Sequence, residues 1–527
     1  MNSFQRKSLY AALAGAGALG MTATANAVSV NPNGLGQVLI YPYYTVNADA
    51  AGNAYNSLLS VVNTSSSAKA VKVRFLEGRN SREVLDFNLF LSKFDVWTAA
   101  IAPSTSGGGA RVITADNSCT IPENSALKAG VNFVNFAYVG DGGGDGLDRT
   151  KEGYVEIIEM AAYTSFSCTS IVVTHANGTN NIPPCQSAKH PLSDNSAKVD
   201  ASSAGGGLFG GITLINVGSG TAYTEDAVAL NRFNMIAGSA LYFNAGSVSP
   251  TLEFSGPKES VVYEGFDNDT ASGGTVFNSD GTIRRQKNFS FAFDDSVYWA
   301  SWEGPECLNA ATGAAITCLP ADAVSAVLMH NQVINEYVLD AATKSGTDWV
   351  ITFPTKRFYV NTGTGSAIKL FQKNFNKTAF SCDDVLINIF DREERTVTTP
   401  QSFSPPTPGA APTALCYEAN VLTFNNTNVL GSKNVQSLST GFTNGWLDIH
   451  LSSGTNLVNY HKLVNTHTVH VFDVTSGAGS GTFTWQGLPV IGFAVQSFTN
   501  GTLVVSGTNV LANYGGNFVH KYATVIN

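Results

Sequence analysis

The chain has 527 residues, a formal net charge of −9 and only 13% charged residues. It is long enough for two or three ordinary domains or a pair of large β-sandwiches, and its acidic balance argues against nucleic-acid binding, which requires clustered Lys and Arg. So few charges leave a surface built largely from Ser, Thr, Asn and Gly, a composition common in exported β proteins and surface-array proteins and less typical of cytosolic enzymes.

In chain order, Arg6 and Lys7 precede an apolar run over 9–21, and Ala25-Asn26-Ala27 supplies a small-x-small cleavage signal. These are the parts of a secretory signal peptide over 1–27, removed before Val28. Arg6-Lys7 is not a twin-arginine pair and no cysteine follows the cleavage point, so Sec export of a non-lipidated protein is expected. The exported chain then carries 28 basic against 39 acidic residues, a net charge of −11. No later segment reaches the roughly 18 to 20 uninterrupted apolar residues of a membrane helix.

Period-2 alternation dominates the chain beyond Val28. Val71, Val73 and Phe75 oppose Lys72 and Arg74; Leu85, Phe87, Leu89 and Leu91 oppose Asp86 and Asn88; Leu447, Ile449 and Leu451 oppose Asp448 and His450. Such patterns mark half-buried antiparallel strands. Gly, Asn, Ser and Asp clusters at 63–67, 104–109, 140–146, 204–211 and 475–481 separate them. The fold class is therefore mainly β, with antiparallel β-sandwich (Ig-like or Greek-key) units. One segment differs: 320–342 has helix formers, near-3.6 apolar spacing and Asp322 as an N-cap, predicting one or two short helices. Units are expected at 28–195, 205–395 and 396–527: the polar stretch 187–207 sets the first boundary, while a Cys382–Cys416 bridge would cross the second and make 396–527 continuous with the central unit.

All seven cysteines lie after the signal, where an oxidising compartment permits disulfides. Cys307 and Cys318 bracket a short loop, and Cys382 and Cys416 enclose the Pro-rich stretch, so both pairs are expected to bond, each bridge contributing roughly 3 kcal/mol. Among Cys119, Cys168 and Cys185, loop contexts favour Cys119 with Cys185. Cys168 then remains buried beside the strand-like run Ile171, Val172 and Val173, although spacing alone leaves the connectivity open.

The sharpest candidate for chemistry is the segment 140–152, GDGGGDGLDRTKE. With Asp141 as position 1 of a calcium loop, Asp145 falls at 5, Gly146 at 6 and Glu152 at 12. Asp141, Asp145, Asp148 and Glu152 are the candidate ligands, since calcium takes six to eight oxygens on a flexible loop. Gly143 at position 3 and Arg149 at position 9 depart from that pattern, and a solvated hairpin loop is the competing reading. Asp267-Asn268-Asp269 reads as turn chemistry. His461, His467 and His470 do not make a shared metal site if 466–474 is a strand, because a spacing of three places residues on opposite faces. Asp383-Asp384 and the acidic run 391–394 read as a solvated rim. Tyr41, Tyr43, Tyr44, Trp299 and Trp302 supply aromatics that could stack on sugars or fill a core. The G-x-S-x-G elbow, HExxH, Cys-x-x-Cys and phosphate-loop patterns do not occur in the sequence.

The segment 34–46, GLGQVLIYPYYTV, resembles the start of a group of exported and cell-surface proteins of Gram-negative bacteria. Further similar stretches are 71–98, 149–159, 344–359 and 487–500, so the likeness runs through nearly the whole exported chain. It implies an address and no catalytic residues. Together with the composition, it leads to an expected exported, non-catalytic structural protein of the cell surface or extracellular space: a surface-layer, fibre or matrix subunit, stabilised by calcium and self-assembling or bound to the envelope. A carbohydrate-binding or adhesin module and a secreted hydrolase are the alternatives, and the periplasm is a second location compatible with export.

Overall fold

The computed structural model describes residues 26–187, 189–236, 238–264, 276–277, 283–285, 296–361, 368, 370–375, 380–396, 414–452, 459–473 and 477–527. Most of the expected signal peptide, the Asp267-Asn268-Asp269 cluster and the 399–412 stretch lie outside them.

Two seven-stranded sheets pack over one core. The first runs Ser29–Val30, Val228–Asn231, Val38–Thr45, Glu152–Tyr163, Ala68–Glu77, Glu83–Leu91, Cys119–Ile121. The second contains Asn56–Asn63, Val96–Pro103, Ala110–Ile113 and Gly211–Asn216. Leu39, Val73, Phe75 and Leu89 of the first sheet meet Leu59, Trp97, Ile101 and Leu214 of the second. The first sheet is also covered on its other face, where Val38, Ile40, Leu76 and Tyr154 join a cluster with Val324, Trp349, Leu447 and Ile491. That cluster draws on residues from Val28 to Ile526. Further sheets include a five-stranded one with Gly346–Thr352, Ala419–Phe424, Ile491–Val505 and Thr508–Val519, and a four-stranded one in the order Leu386–Asp391, Asn444–His450, Gln332–Val338, Lys521–Ala523. The architecture is mainly β and sandwich-like, with a few short helices; among the described strands only Ala419–Phe424 with Val435–Leu438 pairs in parallel.

Coverage on both faces changes the meaning of the alternation. The Ala68–Glu77 strand is buried at all ten positions rather than half-buried. Its charged residues pair across the strands instead of meeting water. Lys69 Nζ lies 2.5 Å from Glu159, Lys72 Nζ 2.8 Å from Asp86, and Arg74 bonds Glu83 at 2.8 Å and Glu156 directly opposite. Lys72 also donates to the carbonyls of Asn244 and Ser247, while Glu159 accepts the N–H groups of Gly205 and Gly206. Two loops thus close over the charges, and each charge has a partner because an unpaired one would cost several kcal/mol.

The segment 320–342 is helical only over Asp322–Leu328. Gln332–Val338 is a strand between Asn444–His450 and Lys521–Ala523. Its Val333, Ile334, Tyr337 and Val338 suit a pleated surface, and the two neighbours take its backbone hydrogen bonds, so tertiary pairing overrides the helical spacing. Nor is Asp322 the N-cap, which is Ala321. Cys168 likewise begins a helix, Cys168–Val173, capped by the Ser167 side chain, and is partly exposed rather than held in a buried strand.

Asp322 is fully buried, its carboxylate accepting Tyr359 OH at 2.6 Å and Leu319 N–H at 2.7 Å. Burial pushes its carboxyl up to about 7, against the opposing pull of those two donors. A raised folded pKa means that Asp322 contributes stability below the unfolded value near 4, and that this contribution is lost as pH rises through 7. Wild type should therefore lose stability relative to Asp322→Asn as pH goes from 5 to 8, by at most about 1.4 kcal/mol per pH unit. Urea titrations of both proteins across that range measure the gap, and a gap independent of pH would contradict this account.

Candidate functional site

The glycine-rich segment 140–152 folds around an arginine. Arg149 Nη1 and Nη2 each lie 2.9 Å from one oxygen of Asp141. Arg149 Nε and Nη2 also reach the two oxygens of Glu77 at 3.1 and 2.8 Å. The guanidinium sits 4.0 Å over the Tyr138 ring, a cation–π contact. Glu77 further accepts the N–H groups of Arg79, Asn80 and Arg82. Burial works against the Asp141 charge, yet the Arg149 hydrogen bonds hold its carboxyl below the ordinary range. Cβ-free Gly143 matters here, since a Cβ would fall 2.6 Å from Arg149 Nη1.

The four candidate calcium ligands have separate surroundings. Asp141 faces Arg149. Glu152 accepts Tyr43 OH at 2.7 Å, Ser432 OH at 2.6 Å and Lys433 N–H at 2.8 Å, tying the first sheet to the 432–433 segment. Asp145 and Asp148 are exposed. Among the described residues these carboxylates do not gather three ligand atoms within 4.8 Å; the one group that does is Cys307, Cys318 and Asp322. There the two sulfurs are joined to each other, so they offer no thiolate. The remaining bridges are Cys119–Cys185 and Cys382–Cys416.

The histidines go three ways. His461 is buried, with Nε2 3.3 Å from Asp383. His467 pairs with Glu306 at the surface, and His470 stacks on Tyr298 at 4.1 Å. Asp383 is not part of a solvated rim: it is fully buried, 2.7 Å from Lys356 Nζ, and accepts Gln372 N–H at 2.6 Å. Asp391 is buried as well, closing its loop by accepting the N–H groups of Glu393 and Arg395. Sequence reading missed Lys356–Asp383–His461 because the partners are 27 and 78 residues from Asp383. Tyr41, Tyr43, Tyr44 and Trp302 are core residues, Trp299 is partly buried, and Trp446 is 41% exposed.

The most distinctive surface element is a hairpin. Ile491–Val505 pairs with Gly346–Thr352 only as far as Ser497, and the Thr499 N–H to Thr343 carbonyl bond is the last on that side among the described residues. Beyond a register shift at Thr499–Thr502, the strand continues with one partner, Thr508–Val519. The two-residue turn Ser506-Gly507 has positive φ at both positions (50° and 81°), the primed geometry that matches strand twist. On this arm Leu503, Val504, Val505, Val510 and Leu511 are all 40–70% exposed. Asp, Glu, Lys and Arg do not occur between Asp473 and Lys521.

Comparison with protein-family models, with curated proteins and with solved structures gave no match.

With Arg149 supplying the cation of the 140–152 loop, melting curves in excess calcium and in excess chelator should superimpose. Arg149→Ala should lower stability by about 3–5 kcal/mol in urea titrations, because it leaves Glu77 and Asp141 buried without their partner. A melting temperature that rises with calcium would contradict the first statement, and a near-neutral Arg149→Ala the second.

Proposed function

We propose that this protein is an exported structural component of the cell surface or extracellular space, a subunit of a layer, fibre or matrix rather than a catalyst. The observation that carries the reading is the uncharged arm formed by 498–514. Natural sheet edges are normally blunted by charges, Pro or a covering element, because open N–H and C=O groups recruit other strands. Here the 500–505 edge extends past its last strand partner in the body, Thr508–Val519 pairs with no described strand other than Ile491–Val505, and every side chain of the arm is uncharged. Copies of an exported chain with 28 basic and 39 acidic residues, a net charge of −11, repel one another generally, and an uncharged surface is where they meet at least electrostatic cost. Pairing of the 500–505 edge of one copy with the 508–511 edge of another is heterologous, so repetition builds an open array rather than a closed dimer. Three disulfides pin loops against the sheets, as suits a subunit exposed to an oxidising exterior.

Negative-stain microscopy and light scattering of the purified protein test this. Wild type should form filaments or sheets as concentration rises. The Leu503→Lys/Val504→Lys variant, altered only at exposed positions, should stay dispersed with unchanged circular dichroism. Dispersed wild-type particles at all concentrations, or equal assembly by the variant, would overturn the reading.

A further inference from the structure

The four-stranded sheet containing Asn444–His450 has a second surface with its own chemistry. Its inward side sends Val333, Tyr337, Ile389, Leu447 and Ile449 into the core. On the outward side, Phe390 and Trp446 are register partners and stack at 4.3 Å with their planes 12° apart. Glu336, exposed, is the partner of Trp446 on the other flank. In the next row Asp448 lies between Asn388 and Ile334, and Lys521 follows. His450 Nε2 is 2.5 Å from Asp448 Oδ2, while Gln332 Nε2 is 3.1 Å from His450 Nδ1. Gln332 thus sits against the His450 ring, whose Nε2 faces Asp448. The other oxygen, Asp448 Oδ1, is buried without a hydrogen-bond partner.

We propose that this face binds a neutral glycan. A pyranose ring offers an apolar C–H face for the exposed indole and a ring of hydroxyl donors for carboxylate and amide acceptors. Asp448 Oδ1 is the acceptor that a ligand hydroxyl would complete, with Asn388 and Glu336 within the adjoining strands of the same face. Charge selects against the other occupants. Acidic sugars and phosphates meet Glu336 and Asp448, and a lipid surface would bury the exposed Glu336 carboxylate. The site is separate from the uncharged arm and does not depend on assembly.

The test uses the purified protein with six-unit oligomers of glucose (α-1,4 and β-1,4), N-acetylglucosamine and mannose, and with an alginate oligomer as the acidic probe, monitored by calorimetry and tryptophan fluorescence. At least one neutral oligomer should bind. Trp446→Ala should weaken that binding about tenfold, with Trp446→Phe restoring most of it and Asp448→Asn weakening it with the fold intact by circular dichroism. Absence of binding to every neutral probe, preference for alginate, equal binding by Trp446→Ala, or a Trp446→Ala effect confined to particle size would each overturn the proposal.

Discussion

The structure depends on pairing charge inside protein. A chain with 13% charged residues places a large share of them in the interior: Lys69, Lys72, Arg74, Glu77, Arg149, Glu156, Glu159, Lys356 and Asp383 are all nearly inaccessible. Most cluster at the first sheet, which is covered on both faces, and at the loops held against it, whereas Lys356 and Asp383 pair beside Ser381 and Leu415. Replacing such pairs by apolar residues would often be neutral, but removing one partner leaves an uncompensated charge, so the set locks register and loop position together. The Lys69–Glu159 and Arg74–Glu156 contacts fix how Ala68–Glu77 sits beside Glu152–Tyr163. Arg149 ties the 140–152 loop to the end of the same strand through Glu77.

The same economy of charge shapes the exterior. With acids and bases drawn inward, the surface is rich in Ser, Thr, Asn and Gly, and one hairpin carries no charge over its whole length. An uncharged, partly apolar sheet edge is a hazard for a protein that must remain monomeric, and a joining device for one that must not. Interior pairs stiffen the body, and the neutral arm is the surface where contact between copies would meet least charge repulsion.

The strands were legible in the sequence because a pleated backbone shows its side chains with period 2. Val71, Val73 and Phe75 could be read at once, and so could the pairing of Cys307 with Cys318 across a short loop. The second covering of the first sheet was not legible, since it depends on residues such as Trp349 and Ile491 far along the chain. Lys72 and Arg74 accordingly read as solvent-facing. Local spacing also points to a cation at Asp141. The counter-charge is Arg149, eight residues away, and its second partner, Glu77, is 72 residues from it. The Gln332–Val338 strand reads as helix locally, and only its neighbours, 106 residues and more away, show otherwise. What long-range pairing decides, a single sequence does not display.

The most direct measurement is hydrogen–deuterium exchange of the purified protein at low and high concentration. If neutral edges join subunits, amides of 500–511 should gain protection as concentration rises, while the core strand Ala68–Glu77 stays equally protected throughout. Unchanged exchange in 500–511 under conditions where particles have grown would place the contact elsewhere and contradict the account.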